Sequence, residues 1–419
     1  MSRQLTVAIA GLEAGALTQS GNGSLSFSYA PDYMGVPLSL SMPVSQSTYG
    51  DNKVRPYLEG LLPEDSEVRR RAGLEFDVSG RNPFALLSVM GLDCPGAVQV
   101  FAPGQDQSRE DRLVPLTNRD IAERLRQGRE RIADGWLRAR ERWSLGGAQA
   151  KFALRREDGR WFQCEGGAAT THILKPGIPG LKLQALNEYV CLKTARAVGL
   201  RAAETQYLLF EDEPAIVSTR YDRARDAAGQ VVRIHQEDLC QAFSVMPGNK
   251  YPQDGGPAAN EIVGLLLKTG APAQKNVRGF LQMLFFNYLT GATDAHAKNY
   301  SVLLDRDAAY LAPLYDVASV LPYTRPKETI KLAMGIAGEA RAGRVSARRL
   351  QKFADDNGLE EAEISGGDVA EMMAALATEI PAAMAHVLNK ESQIPGMDEL
   401  EERLLKPVTK LCQTSLVAL

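Results

Sequence analysis

The sequence predicts an α+β protein with a strand-rich N-terminal subdomain and a two-lobed core that begins with strands and ends with helices. Three observations indicate this order. Apolar and polar residues alternate in the first hundred positions, as in 24–30 (SLSFSYA). Two more strand patterns, 151–157 and 160–164, flank Asp158 and Gly159, a pair typical of a hairpin turn. Towards the C-terminus most apolar residues recur at helical spacing.

Changes in composition divide the chain into four predicted segments. They are a strand-rich N-terminal subdomain at 1–105, a basic helical linker at 106–143, the N-terminal lobe of the core at 144–235 and its helical C-terminal lobe at 236–419. The linker has eight Arg against five Asp or Glu between positions 119 and 142. Such a run is usually a solvated helix face, and the alternative is a surface that meets DNA phosphates or an acidic partner.

The N-terminal subdomain is predicted to be a packing and interaction module, since it contains no catalytic constellation. Its predicted strands are 5–11, 15–20, 24–30, 37–44 and 94–103. Its predicted helices are 56–73, with Pro56 near the start, and 82–92.

The core begins with a glycine-bearing loop and alternates strands with one helix before becoming helical. We predict a strand at 171–177, a helix at 183–200 that stops near Gly199, and two strands around a turn at Glu211 and Asp212. Helices are predicted at 259–270, 275–291 and 346–359, with short strands at 300–305 and 309–317.

Composition excludes several classes of protein. The 419 residues are 44% hydrophobic with a net charge of −3, which is ordinary for a globular protein and gives no global reason to expect nucleic acid binding. The five Cys are scattered and odd in number, which argues against both a disulfide framework and a zinc site. Signal-peptide and membrane-span patterns are lacking, so we expect a soluble cytoplasmic protein.

A polar group at 291–302 (GATDAHAKNYSV) is the strongest functional signal. It follows a strongly apolar predicted helix and contains Asp294, His296, Lys298 and Asn299. Phosphoryl transfer from a nucleotide needs a carboxylate that accepts the proton of the attacking hydroxyl, with an Asn and a second carboxylate that hold magnesium. Asp294 and Asn299 have the five-residue offset of the Asp and Asn in the protein-kinase catalytic loop, and Asp316 follows where a metal-binding Asp should.

Two alternatives apply to these residues. Asp294 and Asn299 are also common as caps and turn formers, and for either residue alone that is the favoured interpretation. A metal site that combines His296 with the two Asp is disfavoured, because the chain has only four His and none of the others is nearby.

Residues upstream occur in the order that a kinase requires. Gly146 and Gly147 permit a loop whose backbone N–H groups approach phosphates, although adjacent Gly are more often just a turn. Lys175 on a strand and Glu188 on the next helix match the Lys and Glu pair that positions nucleotide phosphates. Positions 218–221 fall where two lobes should hinge, and Gln236 opens a segment for which helix capping is the simpler explanation.

With these residues, the chain resembles the HipA family, the serine/threonine kinase toxins of type II toxin–antitoxin modules. The resemblance covers most of the length through a series of motifs in order: LSLSMPV, YLEGLLPED, NPFALLSVMGLDCPGAV, SLGGAQAK, THILKP, NEYVCL, RYDR, QEDLCQAF, KYPQDGGP, GATDAHAKN, LYDV and KLAMG. It implies a bilobal protein-kinase-like core, related to the lipid kinases, behind a strand-rich N-terminal subdomain.

The resemblance also implies residue roles. Asp294 would accept the proton, Asn299 and Asp316 would ligate Mg²⁺, and Lys175 would act on the ATP phosphates, with Glu188 and Gln236 in support. The implied ATP-binding residues are Gly146, Gly147, Ala148, Gln149, Ala150, Lys151, Lys175, Thr219, Arg220, Tyr221, His296, Ala297, Lys298, Asn299, Tyr315 and Asp316.

Ser144 occupies the family's autophosphorylated position, where phosphate would eject the loop and switch the kinase off. The loop continues Leu145-Gly146-Gly147, where a familiar family form has Val-Ala-Gly.

The family further implies a target and partners. The target would be an aminoacyl-tRNA synthetase, glutamyl-tRNA synthetase being the familiar one, and its phosphorylation would arrest translation and growth. The partner would be a small helix-turn-helix, HipB-like antitoxin that binds operator DNA. Two other functions remain open: a small-molecule or lipid kinase, and a non-enzymatic co-repressor that grips its antitoxin and DNA.

Overall fold

The computed structural model describes residues 2–104, 111–130, 132–136, 138, 140–325 and 328–419. It confirms a mixed helix and sheet fold. The chain forms two compact units, each built from several stretches of sequence. Unit 1 contains 1–179, 206–249 and 302–307, and unit 2 contains 180–205, 250–301 and 308–419.

The N-terminal part of unit 1 is an antiparallel five-stranded sheet that packs against three helices. The strands are β1 (Arg3–Ile9), β2 (Leu12–Gln19), β3 (Leu25–Tyr29), β4 (Thr48–Tyr49) and β5 (Val98–Phe101), in the order β4-β3-β2-β1-β5. The helices are α1 (Asp51–Leu61), α2 (Ser66–Glu75) and α3 (Pro83–Met90). Alternate residues such as Phe27 face inward and meet Tyr57 and Leu86 in one buried core.

Local signals explain most of these elements, and two of our predictions here were wrong. The predicted helix 56–73 is interrupted, because Pro63 cannot continue α1 and the Asp65 side chain caps α2 by accepting from the N–H groups of Glu67 and Val68, both at 2.9 Å. The predicted strand 37–44 contains only bends, turns and an isolated bridge between Ser39 and Met42.

The second sheet of unit 1 has six strands in the order β10-β11-β9-β7-β8-β6. They are β6 (Arg112–Leu116), β7 (Phe152–Glu157), β8 (Arg160–Glu165), β9 (His172–Lys175), β10 (Thr205–Phe210) and β11 (Glu213–Thr219). The predicted turn at Asp158 and Gly159 joins β7 to β8, with φ of 48° and 76°. Helices α4 (Asn118–Glu130) and α5 (Ile132–Trp136) pack on this sheet, with Trp136 in its core.

The segment 106–143, predicted as a basic helical linker, also supplies an edge strand. Strand β6 pairs with β8 from Arg112 opposite Glu165 to Leu116 opposite Trp161, so the segment is part of the sheet. Pro115 suits an edge strand because it cannot donate a ladder hydrogen bond. Residues 105–110, 131, 137 and 139 of this region lie outside the described residues.

Unit 1 is completed by short elements that follow β11. They are β12 (Arg223–Arg225), β13 (Val231–Arg233), β14 (Gln236–Asp238) and α7 (Leu239–Ala242). Strands β12 and β13 form an antiparallel pair. Asp238 caps α7 in a capping box with Gln241, as expected for polar residues that open a helix.

Unit 2 is mainly helical. Its helices are α6 (Gln184–Ala197), α8 (Ala259–Leu266), α9 (Ala273–Thr290), α10 (Ala347–Asp356), α11 (Gly366–Lys390) and α12 (Met397–Ala418). Two short strands follow α9: β15 (Ser301–Leu304), which runs on into residues of unit 1, and β16 (Ala309–Leu311). The C-terminal lobe, predicted as all-helical, also contains an antiparallel pair, β17 (Lys331–Ile336) and β18 (Glu339–Arg341).

Within the described ranges, no helix is both long enough and apolar enough to cross a membrane.

Candidate active site

The polar loop of unit 2 is fixed at both ends by Asn287, near the end of α9. The helix stops at Gly291, whose φ of 68° is the left-handed conformation that glycine adopts without strain. The Asn287 carbonyl accepts from the Ala292 N–H at 2.9 Å, and its side-chain Nδ2 donates to the Tyr300 hydroxyl at 2.9 Å. One buried residue thus holds both ends of the loop, one through its backbone carbonyl and the other through its side-chain amide.

The loop folds around the backbone of Asp294 and leaves its carboxylate outside. The Asp294 carbonyl accepts from the His296 N–H at 2.8 Å and from Asn299 Nδ2 at 2.7 Å. The Asp294 side chain is 69% exposed, and its Oδ1 accepts a hydrogen bond from the Tyr251 hydroxyl at 2.6 Å. Asp294 and Asn299, predicted to act together, are therefore in direct contact.

His296 lies beneath this carboxylate as a buried, neutral imidazole. Its side chain is 4% exposed, with Nε2 3.8 Å from Asp294 Oδ1. Burial lowers the pKa of His296, and the Lys250 cation acts in the same direction, whereas the carboxylates of Asp294 and Asp316 oppose the shift. Asp294 and Asp316, both predicted to serve the site, thus act on the same imidazole.

Hydrogen bonds before and after Asp316 hold it in an unfavourable backbone conformation. Its φ is 57°, a region that residues other than glycine seldom occupy. Before it, the Leu314 N–H donates to the Arg201 carbonyl at 2.8 Å. After it, Asn187 Nδ2 donates to the Ser319 carbonyl at 2.7 Å, and the Ser319 N–H donates to Asn187 Oδ1 at 3.1 Å. Such strain persists where surrounding structure imposes it, often at functional sites. Strand β16 ends at Leu311, so our prediction that a strand reaches Asp316 was wrong.

Tyr315 connects the Asp316 segment to the polar loop. Its hydroxyl donates to the Lys298 carbonyl at 2.9 Å and lies 2.7 Å from the Ser301 hydroxyl. Lys298 and Asn299 belong to a single 3₁₀ turn at Ala297–Asn299. The predicted residues of the polar loop thus form one connected group with Tyr315.

The oxygen donors of this group suit magnesium better than a transition metal. The Asn299 amide nitrogen donates to the Asp294 carbonyl, so the Asn299 amide oxygen points away from that carbonyl. Magnesium prefers such oxygen ligands and commonly takes only one or two of them from the protein, with phosphates and water as the rest. Among the described residues, no cluster of three or more His, Cys, Asp or Glu is arranged to hold a metal.

In unit 1, the glycine loop is buried at its start and more open further on. Ser144 is 0% exposed, and its hydroxyl donates to the Leu61 carbonyl at 2.6 Å, while its N–H donates to the Asp93 carbonyl at 3.1 Å. The Glu64 N–H donates to the Gly147 carbonyl at 3.1 Å. The N-terminal subdomain therefore holds the loop through backbone contacts at both Ser144 and Gly147.

Gly147 is favoured by its backbone conformation, and the end of the Lys151 side chain lies close to it. Its φ is 96°, and a Cβ there would lie 2.6 Å from Lys151 Nζ. The Lys151 ammonium thus lies directly over the glycine backbone. The remaining predicted loop residues differ in exposure: Ala148 is exposed, Gln149 is half-buried and Ala150 is buried.

Lys175 and Thr219 lie on neighbouring strands of the six-stranded sheet. Lys175 is 8% exposed on β9 and pairs with Ile216 of β11. Thr219, at the end of β11, pairs with His172 and is half-buried. Glu188 is 1% exposed on α6, which belongs to unit 2, so its predicted pairing with Lys175 stays a prediction.

Arg220 is enclosed by contacts within its own chain, and its predicted place at the nucleotide stays a prediction. Its side chain is 2% exposed and donates to both carboxylate oxygens of Asp222, at 3.0 and 2.8 Å, and to Thr170 Oγ1 at 2.9 Å. Its N–H donates to the Thr171 carbonyl at 2.9 Å. These contacts occupy Arg220 within the protein. Its neighbour Tyr221 is half-buried.

Gln236, predicted to support the site, does contact a predicted ATP-binding residue. The Tyr221 hydroxyl donates to Gln236 Oε1 at 2.7 Å. Both residues belong to unit 1.

Asp93 is a residue that sequence reasoning missed. It is 1% exposed, and its side chain accepts from Arg223 at 2.8 Å, from Arg233 at 3.1 Å and from the Thr170 hydroxyl at 2.7 Å. Burial alone raises the pKa of Asp93, but the surrounding Arg side chains outweigh it and hold that pKa well below its usual range. The only sequence signal was a single acidic residue in the apolar run GLDCPGAV.

Tyr251 is the second missed residue. It lies in the segment KYPQDGGP, whose glycines indicated a turn but not the contact with Asp294.

Comparison with known proteins shows the family of the chain. The model of the HipA-like C-terminal domain matches residues 143–384, and that of the HipA N-terminal domain matches residues 5–101. The chain belongs to the HipA family. A putative kinase of Sinorhizobium fredii, Y4mE, is 36% identical to it over 368 residues, which cover 85% of this chain and 86% of that protein.

A serine/threonine-protein kinase toxin HipA from Shewanella oneidensis is 29% identical over 393 residues, covering 89% of this chain and 86% of the relative. The solved structure of Shewanella oneidensis HipA, in a complex of the toxin–antitoxin system with HipB and operator DNA, superposes with a TM-score of 0.81 at 25% identity. That match covers 98% of this chain and 99% of that one. The protein is thus a HipA-type serine/threonine kinase of the toxin–antitoxin class.

Proposed function

We propose that this chain is an ATP- and Mg²⁺-dependent serine/threonine protein kinase that acts as the toxin of a toxin–antitoxin module. The observation that carries the proposal is the folded loop at Asp294, whose carboxylate is exposed while its carbonyl is held by Asn299 and its neighbour His296 is buried. Fixing the backbone around an outward carboxylate prepares a base that another molecule can reach.

In this proposal Asp294 accepts the proton of the substrate's serine or threonine hydroxyl. The hydroxyl oxygen forms a bond to the γ-phosphorus of ATP as the bond from that phosphorus to the β,γ-bridging oxygen breaks, and ADP leaves. The proton passes to Asp294. His296 stays neutral beneath it, since burial lowers its pKa, and adds no competing positive charge.

Asn299 and Asp316 would hold the magnesium. When bound, the ion neutralises charge on the phosphates. The strained backbone of Asp316, anchored through Leu314 and Ser319, supports this assignment, because a fixed carboxylate loses little freedom on taking a ligand.

The residues of unit 1 would bind the rest of ATP. The backbone N–H groups of 146–150 and the Lys151 ammonium over Gly147 offer donors to phosphate oxygens, and Lys175 adds a further positive charge. Thr219 and Tyr221 would meet the adenine. Arg220 would position these two neighbours from within its buried ion pairs, without touching the nucleotide.

Ser144 would be the off-switch through autophosphorylation. Its hydroxyl is enclosed and bound to the Leu61 carbonyl, so a phosphate on it would bring nearly two negative charges into a buried position beside a carbonyl oxygen. Modified Ser144 therefore has to leave this position, and the loop that binds ATP phosphates leaves with it.

The protein target and partners are proposed from family resemblance. We propose an aminoacyl-tRNA synthetase as the target, with glutamyl-tRNA synthetase the first to test, and growth arrest through halted translation as the outcome. We also propose a HipB-like helix-turn-helix antitoxin with which the chain co-represses its operon on operator DNA. The Shewanella complex, which contains HipA, HipB and operator DNA, supports these partners.

Asp294→Asn tests the central assignment. The variant keeps the shape of the side chain but removes the basic carboxylate, so phosphoryl transfer should fall about 10²- to 10⁴-fold. Label from γ-³²P-ATP on Ser144, located by mass spectrometry, and on purified glutamyl-tRNA synthetase measures the effect. Antitoxin binding should be retained.

Asp307→Asn, at another exposed carboxylate, is the matched control and should keep full activity. An Asp294→Asn variant that is folded, as shown by its circular dichroism, and still labels Ser144 at the original rate would refute Asp294 as the base.

A further inference from the structure

The hydroxyl of Tyr251 occupies one oxygen of the proposed base. It donates to Asp294 Oδ1 at 2.6 Å, and its ring meets the His296 ring edge-on, with centroids 4.9 Å apart and an interplanar angle of 86°. The contact spans 43 positions of sequence and joins two segments of the same compact unit. It gives a largely exposed carboxylate a partner from its own chain.

The same oxygen position is what a substrate needs. A general base works on a hydroxyl that approaches to within about 2.6–3.2 Å, and a phenol O–H is chemically a hydroxyl of that kind. A carboxylate oxygen that already accepts a short hydrogen bond is a poorer acceptor for a second one in the same direction. Tyr251 and an incoming serine therefore compete for Asp294.

The segment around Tyr251 is a hydrogen-bonded turn whose outermost residues are exposed to solvent. The Tyr251 carbonyl accepts from the N–H groups of Asp254 and Gly256, both at 2.9 Å, and Gly255 has a φ of 90°. Residues 253–255 are exposed. A small turn thus carries the tyrosine, whose hydroxyl meets Asp294 and whose ring meets His296.

We infer that the Tyr251 hydroxyl occupies the position of the substrate hydroxyl at Asp294. It blocks the base until a protein substrate displaces it. This inference rests on the proposed function, in which Asp294 is the base. Its consequence is that acceptors unable to move the 250–256 turn, water above all, are turned over slowly. Tyr251 thereby favours protein substrates over wasteful ATP hydrolysis.

Tyr251→Phe tests the inference on the full chain with ATP and magnesium. The variant keeps the ring against His296 and removes only the hydroxyl. We expect ATP hydrolysis and Ser144 phosphorylation to be at least threefold faster, with the KM for ATP unchanged. Tyr310→Phe, at a 43%-exposed tyrosine on β16, is the matched control and should leave both rates as they were.

Slower or unchanged rates in Tyr251→Phe would overturn the inference, since Tyr251 would then orient the base or do nothing. Phosphate found on Tyr251 itself would also overturn it, because the residue would be an acceptor. The Tyr251→Phe effect should vanish in the Asp294→Asn background. Full activity of Asp294→Asn alone would instead refute the proposed function, and the inference with it.

A readout without catalysis checks the contact. A 3-fluorotyrosine at position 251 should show a ¹⁹F resonance that moves when Asp294 is replaced by Ala in the nucleotide-free chain. An unmoved resonance would show that the two side chains do not meet in solution and would overturn the inference while leaving the role of Asp294 intact.

Discussion

Glu237 is a carboxylic acid enclosed within unit 1. It is 0% exposed, and its Oε1 accepts from the Leu40 N–H at 2.8 Å. Burial raises the pKa of Glu237 to about 8, the nearby Asp238 adds to this shift, and hydrogen bonds from Ser39 and Leu40 oppose it. Near neutral pH the side chain is therefore mostly protonated, and a neutral acid joins β14 to the 37–44 segment.

The protonated state makes stability depend on pH in a defined direction. Because the folded pKa lies above the ordinary value of 4.5, the folded chain binds a proton that the unfolded chain releases. This contribution is complete below pH 4.5 and is lost as pH rises through 8. For Glu237 the loss between about pH 5 and 8 is on the order of 3 kcal/mol.

Glu237→Gln, which copies the neutral acid, should remove this loss. Urea unfolding at pH 5.5 and pH 8 should show a smaller decline in the free energy of unfolding for the variant than for the natural chain. The difference between the two proteins isolates Glu237 from other titrating groups, such as His235. Equal declines in both proteins would show that Glu237 is ionised in the folded chain.

At the residue scale, the spacing of residues in the sequence predicted contacts only within one loop. Asp294 and Asn299 were paired from their five-residue offset, and the structure shows the Asn299 amide on the Asp294 carbonyl. Tyr251 and Asp93 were missed because their partners lie far along the chain, and no local pattern records which distant group a side chain meets.

At the element scale, the buried ion pairs around Asp93 connect three pieces of unit 1. The Asp93 carbonyl accepts a hydrogen bond from the Ser144 N–H. The Asp93 carboxylate forms ion pairs with Arg223 of β12 and Arg233 of β13. Asp222 shares Arg220 and Arg223 with it. Three Arg and two Asp already carry one excess positive charge, and removal of one carboxylate raises that buried excess to two.

Asp93→Asn should therefore destabilise the chain strongly. Breaking a buried ion pair from one side costs about 3–5 kcal/mol, because the remaining charge stays desolvated. The midpoint of urea unfolding should fall accordingly. Asp356→Asn is the matched control, since its ion pair with Lys352 is exposed on α10, and should change the midpoint little. A midpoint unchanged by Asp93→Asn would show that water or rearrangement compensates the charge.

Elements with a local signal were predicted, and elements defined by distant partners were not. The β7 and β8 hairpin followed from Asp158 and Gly159, and the end of α9 from Gly291. The 37–44 segment alternates like a strand, yet its N–H groups donate to side chains: Leu38 to the Tyr29 hydroxyl and Leu40 to Glu237. Strand β6 was missed because only its pairing with β8 makes it a strand.

At the scale of the whole molecule, the sequence predicted the α+β class and a strand-rich beginning followed by a mainly helical end, but periodicity does not show which unit an element joins. Helix α6 lies between β9 and β10 in sequence, and it belongs to unit 2 while both strands pair in a sheet of unit 1. The four-segment division and the convergence of Lys175 with Asp316 on one nucleotide stay predictions.

A thermal-shift experiment tests that convergence, because Lys175 is on β9 of unit 1 and Asp316 is in unit 2. A ligand at 100 times its Kd stabilises the folded chain by about 2.7 kcal/mol, so ATP with magnesium should raise the Tm of the natural chain. Lys175→Met should reduce the shift both with magnesium and with EDTA, because the ammonium acts on the phosphates. Asp316→Asn should reduce only the part that magnesium adds, because its carboxylate acts on the ion. Lys352→Met, at an exposed lysine of α10, should shift like the natural chain. If Lys175→Met or Asp316→Asn gave the same Tm shifts as the natural chain, the replaced side chain would not take part in binding ATP with magnesium.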